Sequence, residues 1–181
     1  MSGGLRCSVS DFRSWNEKVK AGDKILLSGT VYTARDAAHK RFFAALDAGG
    51  ALPFDPRGAF IYYAGPTPAV GDLPVGSCGP TTSSRMDRYV PRLFDLGLAA
   101  TVGKGPRSDE AARATAEHGG LYLCAIGGAG ALAASCITSV EVIAYEDLGC
   151  ESVKKMTFKD FPLIVGIDAY GNSAFAEIRR G

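Results

Sequence analysis

The chain has 181 residues, 46% of them hydrophobic and 22% charged, and its 20 Lys+Arg against 19 Asp+Glu leave a formal charge of +1. That size and balance predict one globular domain across residues 1–181 with a sizeable core, and near-neutrality excludes the surplus of clustered cations that a nucleic-acid partner requires. No apolar run reaches the ~18 residues of a spanning helix, and MSGGLRCSVSDFRSW has no apolar secretory core, so neither a membrane partner nor export is expected and the chain reads as cytoplasmic.

In chain order, Ser10 or Asp11 is placed to cap a first helix with Phe12, Trp15 and Val19 on one face and Gly22 at its end. Residues 24–33 (KILLSGTVYT) predict a strand, residues 36–47 a helix stopped by Gly49-Gly50, and residues 59–65 (AFIYYAG) a short strand. The Gly/Pro-rich stretch 65–84 is too irregular for either. Met86, Val90, Leu93 and Phe94 fall at helical spacing before Gly97, a natural residue to end that helix. A strand at 98–102, a Gly-Lys-Gly turn and a helix capped by Ser108 and closed by Gly119-Gly120 follow. Strands are then predicted at 121–126, 139–145, 162–168 and 173–178. Alternating elements followed by strands predict a mixed α/β domain.

Five cysteines, at 7, 78, 124, 136 and 150, include no C-x-x-C pair, so neither a disulfide framework nor a compact metal site is expected, and Cys124 and Cys136 read as small core residues. Three segments are suited to backbone or anion chemistry. In 33–41 (TARDAAHKR), Arg35 stands before Asp36 at a helix start, and His39, three residues on, shares a face with Asp36 and is within reach of a hydrogen bond; the same residues also suit a helix cap with a solvated basic face. In 79–87 (GPTTSSRMD), Thr81 and Thr82 open a run of four hydroxyls at the start of a helix near Ser84. Helix N-termini attract carboxylates, and Arg85 adds a planar fork although it opposes the helix dipole. In 102–105 (VGKG), Lys104 is exposed on a glycine turn that lacks the Walker pattern and reads equally as a plain turn.

Residues 128–133 match G-x-G-x-x-A, with Glu146 downstream, but too little chain follows for a dinucleotide fold. No G-x-S-x-G or H-E-x-x-H motif is present, and His118, before two glycines, reads as a helix-terminal residue.

Taken together, SGTVYTARDAAHKR, IYYAGP, GPTTSSRMD, VGKG, GGLYLCAIGGAGAL, LGCES and DFPLIVGIDAYGN resemble, in that order, the C-terminal part of class I fumarases. That part is a separate β subunit in two-subunit fumarases and L-tartrate dehydratases. The resemblance runs from about Gly22 to Asn172, and the combination of A-R-D-x-A-H with G-P-T-T-x-x-R-M-D is what makes it specific. It implies a swivelling β/β/α domain packed on a larger α part, which holds a 4Fe–4S cluster through three cysteines and uses the open iron as a Lewis acid on the substrate hydroxyl. It implies no metal ligand in this chain.

By matching position the resemblance assigns Arg35, Arg85 and Lys104 to substrate carboxylates, with Thr82 beside them. It assigns Thr81 to the place of the proposed catalytic base, and Asp36 and His39 to completing the site. A hydroxyl is a weak base, so Thr81 needs a carboxylate partner, which the resemblance places in the α part. Two departures stand out. Several relatives have Ala-Gly where Ser83-Ser84 stand, a change near the anion site. Lys154 stands where an apolar or aromatic residue is usual, a change expected to bear on the subunit contact rather than the cleft. The expected activity is reversible hydration of fumarate to L-malate with an α subunit; alternatives are L-tartrate dehydration and a stand-alone dicarboxylate-binding module.

Overall fold

The computed structural model describes residues 4–126 and 130–176. Seven strands, β1 (Leu5–Ser8), β2 (Lys24–Thr33), β3 (Phe60–Tyr62), β4 (Ala100–Gly103), β5 (Leu121–Cys124), β6 (Ile137–Ala144) and β7 (Val153–Ile167), are found among these residues. Strands β2, β3, β4 and β5 run parallel in that order, and β7 lies antiparallel to both β5 and β2. These five strands therefore close into a mixed barrel, and a closed ring leaves no open edge. The two long strands extend past it. Beyond the ring, β1 pairs with Ile25–Ser28 and β6 pairs with the first half of β7. The molecule is a single mixed α/β domain.

The apolar pattern of each strand follows from what covers it. In β3, Phe60 and Tyr62 join the core that fills the barrel side with Leu27, Val102, Leu123 and Phe158. Ile61 and Tyr63 point the other way, into a second core beneath the helices with Phe42, Leu93 and Phe94. A strand buried on both faces reads as a continuous apolar run, as residues 59–65 do.

Helices α2 (Asp36–Asp47), α3 (Val90–Asp95) and α4 (Asp109–Glu117) supply that second layer. Ser108 caps α4, its hydroxyl accepting from the Ala111 N–H at 3.2 Å. His118 closes it, with Nδ1 2.8 Å from the Ala114 carbonyl oxygen and Nε2 3.2 Å from Asp95.

Several sequence expectations are corrected. The first helix, α1 (Phe12–Trp15), is shorter than the Phe12–Val19 face suggests, although all three apolar residues are buried. The helix expected at 86–94 is a 3-10 helix, Ser83–Tyr89, running into α3, because Pro91 near the start of α3 cannot donate a hydrogen bond to the preceding turn. Strand β7 begins nine residues earlier than the predicted 162–168. Residues 173–176 form a bridge and a turn rather than a strand, and 177–178 of that expected strand lie outside the described residues. Of the G-x-G-x-x-A stretch, 128–129 also lie outside them, and a short helix, α5 (Gly130–Ser135), occupies the rest. Cys7 and Cys78 are the buried cysteines, while Cys124 and Cys136 are only partly covered.

Candidate active site

Parallel strands share a polarity, so the residues that leave β2, β3 and β4 all emerge at one rim of the barrel. In α/β folds, barrels and open sheets alike, the carboxyl ends of parallel strands are where ligands bind. Here that rim carries Arg35 after β2, Ala64-Gly65 after β3 and Lys104 after β4. The chain then returns across it. Pro80 bridges Ala64, the Thr81 N–H donates to the Tyr63 carbonyl at 2.6 Å, Thr82 bridges Lys104, and the Ser83 N–H donates to the Lys104 carbonyl at 2.9 Å.

The hydroxyl run is thus seated on the ends of β3 and β4, with Thr81 half-buried and Thr82 exposed beside Lys104. Gly103 makes this approach possible, because a Cβ there would stand 2.0 Å from the Ser83 hydroxyl oxygen. Tyr122 pins the turn from below, its hydroxyl donating to the Gly105 carbonyl at 2.7 Å and lying 2.9 Å from the Ser83 hydroxyl.

Arg85 reaches from the 3-10 helix to the first turn of α2. Its Nε donates to Asp36 Oδ1 at 3.0 Å, and its Nη2 lies 2.8 Å from Oδ2. Around the pair is an open concavity of about 310 Å³, lined by Asp36, Lys40, Arg85, Arg88, Tyr89 and Glu151 among others. Three cations there face two carboxylates, so the concavity favours an anion. Arg35 and Lys104 stand on the same rim but do not line it. Arg35 instead meets its wall, with Nε 3.7 Å from Glu151 Oε1.

His39 is placed differently from the sequence expectation. Its Nδ1 is 2.8 Å from the Arg35 carbonyl oxygen, not bonded to Asp36, whose carboxylate is turned to Arg85. The ring is fully buried, stacked on Tyr89 with centroids 5.2 Å apart, and Nε2 has no hydrogen-bond partner among the described residues. Burial lowers its pKa to about 4, which outweighs the hydrogen bond to Arg35. A neutral imidazole with Nδ1–H on the Arg35 carbonyl ties Arg35 to α2; it lies behind the rim rather than in the concavity.

Two further residues carry weight that sequence reasoning missed. Arg107 is buried, donates to Asp87 at 2.6 Å and lies over the rings of Tyr63 and Tyr122. Asp87 also accepts the Ser108 N–H at 2.6 Å, so this ion pair fastens the segment after Thr81–Arg85 to the start of α4. No local pattern marks Arg107, which follows a Gly-Pro turn. Lys154, expected at a subunit contact, is also buried, with its ammonium turned into the chain.

Among the described residues no three His, Cys, Asp or Glu side chains are grouped to hold a metal ion. Burial pushes the thiols of Cys7 and Cys124 up to about 11 and that of Cys78 to about 12. No helix among the described residues is long and apolar enough to cross a membrane.

Comparison with known proteins gives this arrangement relatives. A family model described as the fumarase C-terminus matches residues 8–178. The anaerobic class I fumarate hydratase of Escherichia coli K12 is 41% identical over 157 residues, 86% of this chain and 29% of that protein. Fumarate hydratase 2 of Leishmania major is 38% identical over 176 residues, 96% of this chain and 31% of that protein. A protein of Methanocaldococcus jannaschii, provisionally named L(+)-tartrate dehydratase subunit beta, is 38% identical over 170 residues, 91% of this chain and 87% of its own length. The chain thus spans about a third of the length of the fumarate hydratases it matches.

Proposed function

We propose that this chain, which belongs to the fumarase C-terminus family, is the β part of a hydro-lyase that interconverts fumarate and L-malate. In this reading a larger α part completes the site and carries the iron–sulfur cluster, and this chain, as a swivelling domain, closes over the substrate. The observation that supports the proposal is the return of residues 80–83 across the rim, which seats Thr81 and Thr82 on the ends of β3 and β4 beside Lys104, followed by Arg85 on Asp36.

The chemistry asks for this set. A dicarboxylate needs two cationic anchors to hold it for anti elimination, and removal of a proton next to a carboxylate builds negative charge that fixed cations stabilise. Arg85 uses its Nε and Nη2 edge on Asp36, which leaves the Nη1 edge for a substrate carboxylate while Asp36 fixes the guanidinium plane. Lys104 and Arg35 serve the other carboxylate end. Thr81 Oγ1 takes the proton from the carbon beside the carboxylate as its own hydroxyl proton passes to a carboxylate of the α part. His39 supports Arg35 through its carbonyl rather than touching substrate.

A second reading, L-tartrate dehydration, is supported by one relative: the M. jannaschii protein provisionally named L(+)-tartrate dehydratase subunit beta is 38% identical over 91% of this chain. Both substrates present two carboxylates to the same cations. The test is to assay the isolated chain, and the chain mixed with its α partner, for dehydration of malate and of tartrate together with iron content. Activity only in the mixture supports the proposal, and the preferred substrate decides between the readings. Turnover or stoichiometric iron in the isolated chain sinks the proposal.

A further inference from the structure

Lys154 lies on β7 opposite Thr33, two residues before Arg35. Its ammonium turns back into the tight turn that precedes β7. There it donates to the Ser152 hydroxyl at 2.7 Å and to the carbonyls of Cys150, Ser152 and Gly149 at 3.1, 3.2 and 3.3 Å. Three carbonyl dipoles and a hydroxyl aimed at one point repel one another unless positive charge occupies that point. The turn is also joined to β2. The Thr33 hydroxyl donates to the Ser152 carbonyl at 3.4 Å and accepts from the Lys154 N–H at 3.1 Å.

This turn presents Glu151 to Arg35. At 3.7 Å their contact is an ion pair and not a hydrogen bond, and Arg35 Nε and Glu151 Oε1 are both buried without a hydrogen-bond partner among the described residues. Such a pair does not hold itself in register, so the backbone behind it must. Arg35 also threads a narrow gap: a Cβ on Gly65 would stand 3.1 Å from Arg35 Nη1 and 3.2 Å from the Cys150 carbonyl oxygen. Gly65 therefore has the Arg35 side chain and the Cys150 carbonyl both close against it, so the turn at 149–152 and Arg35 share one glycine as neighbour.

We propose that Lys154 is a positioning residue, an internal cation that shapes the turn at 149–152 so that Glu151 holds the Arg35 guanidinium at the rim. The proposal deepens the reading of Arg35 as a carboxylate anchor and rests on it. Desolvation lowers the pKa of the Lys154 ammonium, a cost to the cation that the hydroxyl and carbonyl oxygens around it must offset.

The test uses the full chain, alone and with its α partner. Lys154→Met keeps the length of the side chain and removes its charge, Ser152→Ala removes the shortest contact, and Lys154→Ala opens a space that methylammonium can enter. In the chain alone, hydrogen exchange of the Arg35 Nε–H, followed by NMR, is expected to quicken about tenfold or more in Lys154→Met and measurably in Ser152→Ala. In the complex, KM for malate is expected to rise roughly tenfold in Lys154→Met with kcat within about threefold. Methylammonium, and not tetramethylammonium at equal ionic strength, is expected to recover most of the loss in Lys154→Ala. If Lys154→Met does not fold, Ser152→Ala decides. Unchanged Arg35 exchange in the folded variants overturns the proposal. If exchange quickens but Arg35→Ala leaves KM unaltered, Lys154 does position Arg35 and the reading of Arg35 as an anchor is what fails.

Discussion

Arg85 and Asp36, 49 residues apart in sequence, meet edge to edge, Nε on Oδ1 at 3.0 Å and Nη2 against Oδ2 at 2.8 Å. Their side chains are 51% and 37% exposed, so the pair adds at most about 1 kcal/mol to folding. Only Nε–Oδ1 is a hydrogen bond, since Asp36 Oδ2 has no hydrogen-bond partner among the described residues; that bond and the ion pair hold the guanidinium at the wall of the concavity.

Arg85→Ala is accordingly expected to leave the fold intact and to cripple turnover. The loss in transition-state stabilisation should be roughly 2–5 kcal/mol if the side chain grips a carboxylate in a desolvated cleft. Steady-state kinetics of the complex and a thermal melt of the chain check both halves. Activity within a few-fold of wild type removes Arg85 from the site.

Thr81→Ala should lower kcat more than it raises KM, because proton transfer is felt only in the transition state. The Thr81 N–H bond to the Tyr63 carbonyl is a backbone contact and survives the change, so the segment keeps its place. A rise in KM with kcat unaltered assigns Thr81 to binding and moves the base elsewhere.

His39 predicts an acid limb of stability. Its pKa falls from 6.5 in the unfolded chain to about 4 in the fold, so between these values the unfolded state binds the extra proton. Stability is then full above pH 6.5, declines as pH drops toward 4 and levels off below it, a span on the order of 3 kcal/mol. His39→Phe, which suits the surrounding rings, should flatten that limb in urea unfolding measured across the window. An equal slope in both proteins contradicts the assignment.

Arg107→Met should cost more than any change at the rim. It leaves the Asp87 carboxylate, only 12% exposed, without its cation, and breaking a buried pair costs about 3–5 kcal/mol. Denaturant unfolding measures this directly. A loss below about 1 kcal/mol would mean that the Ser108 N–H alone satisfies Asp87.

Features written in neighbouring residues are legible in the sequence. The bounds of β2 and α2, the Ser108 cap and the glycine ends of α3 and α4 follow from periodicity, capping and turn chemistry acting over a few residues. The first half of β7 is not, because residues 153–161 mix Lys, Asp and Thr among the apolar positions. They become a strand only by pairing with β2 on one side and β6 on the other.

The sequence by itself determined the family resemblance and the identity of the rim residues, since Arg35, Asp36, Thr81, Arg85 and Lys104 sit in short motifs that local chemistry singles out. Only the tertiary structure decided what each of them touches. Parallel register brings the ends of β2, β3 and β4 to one rim, turns Arg85 onto Asp36 rather than onto Arg35 or Lys104, and buries His39 behind them. It also turns the Lys154 ammonium onto the turn at 149–152. Burial and partnership depend on which distant segment packs on a residue, and no spacing along the chain encodes that.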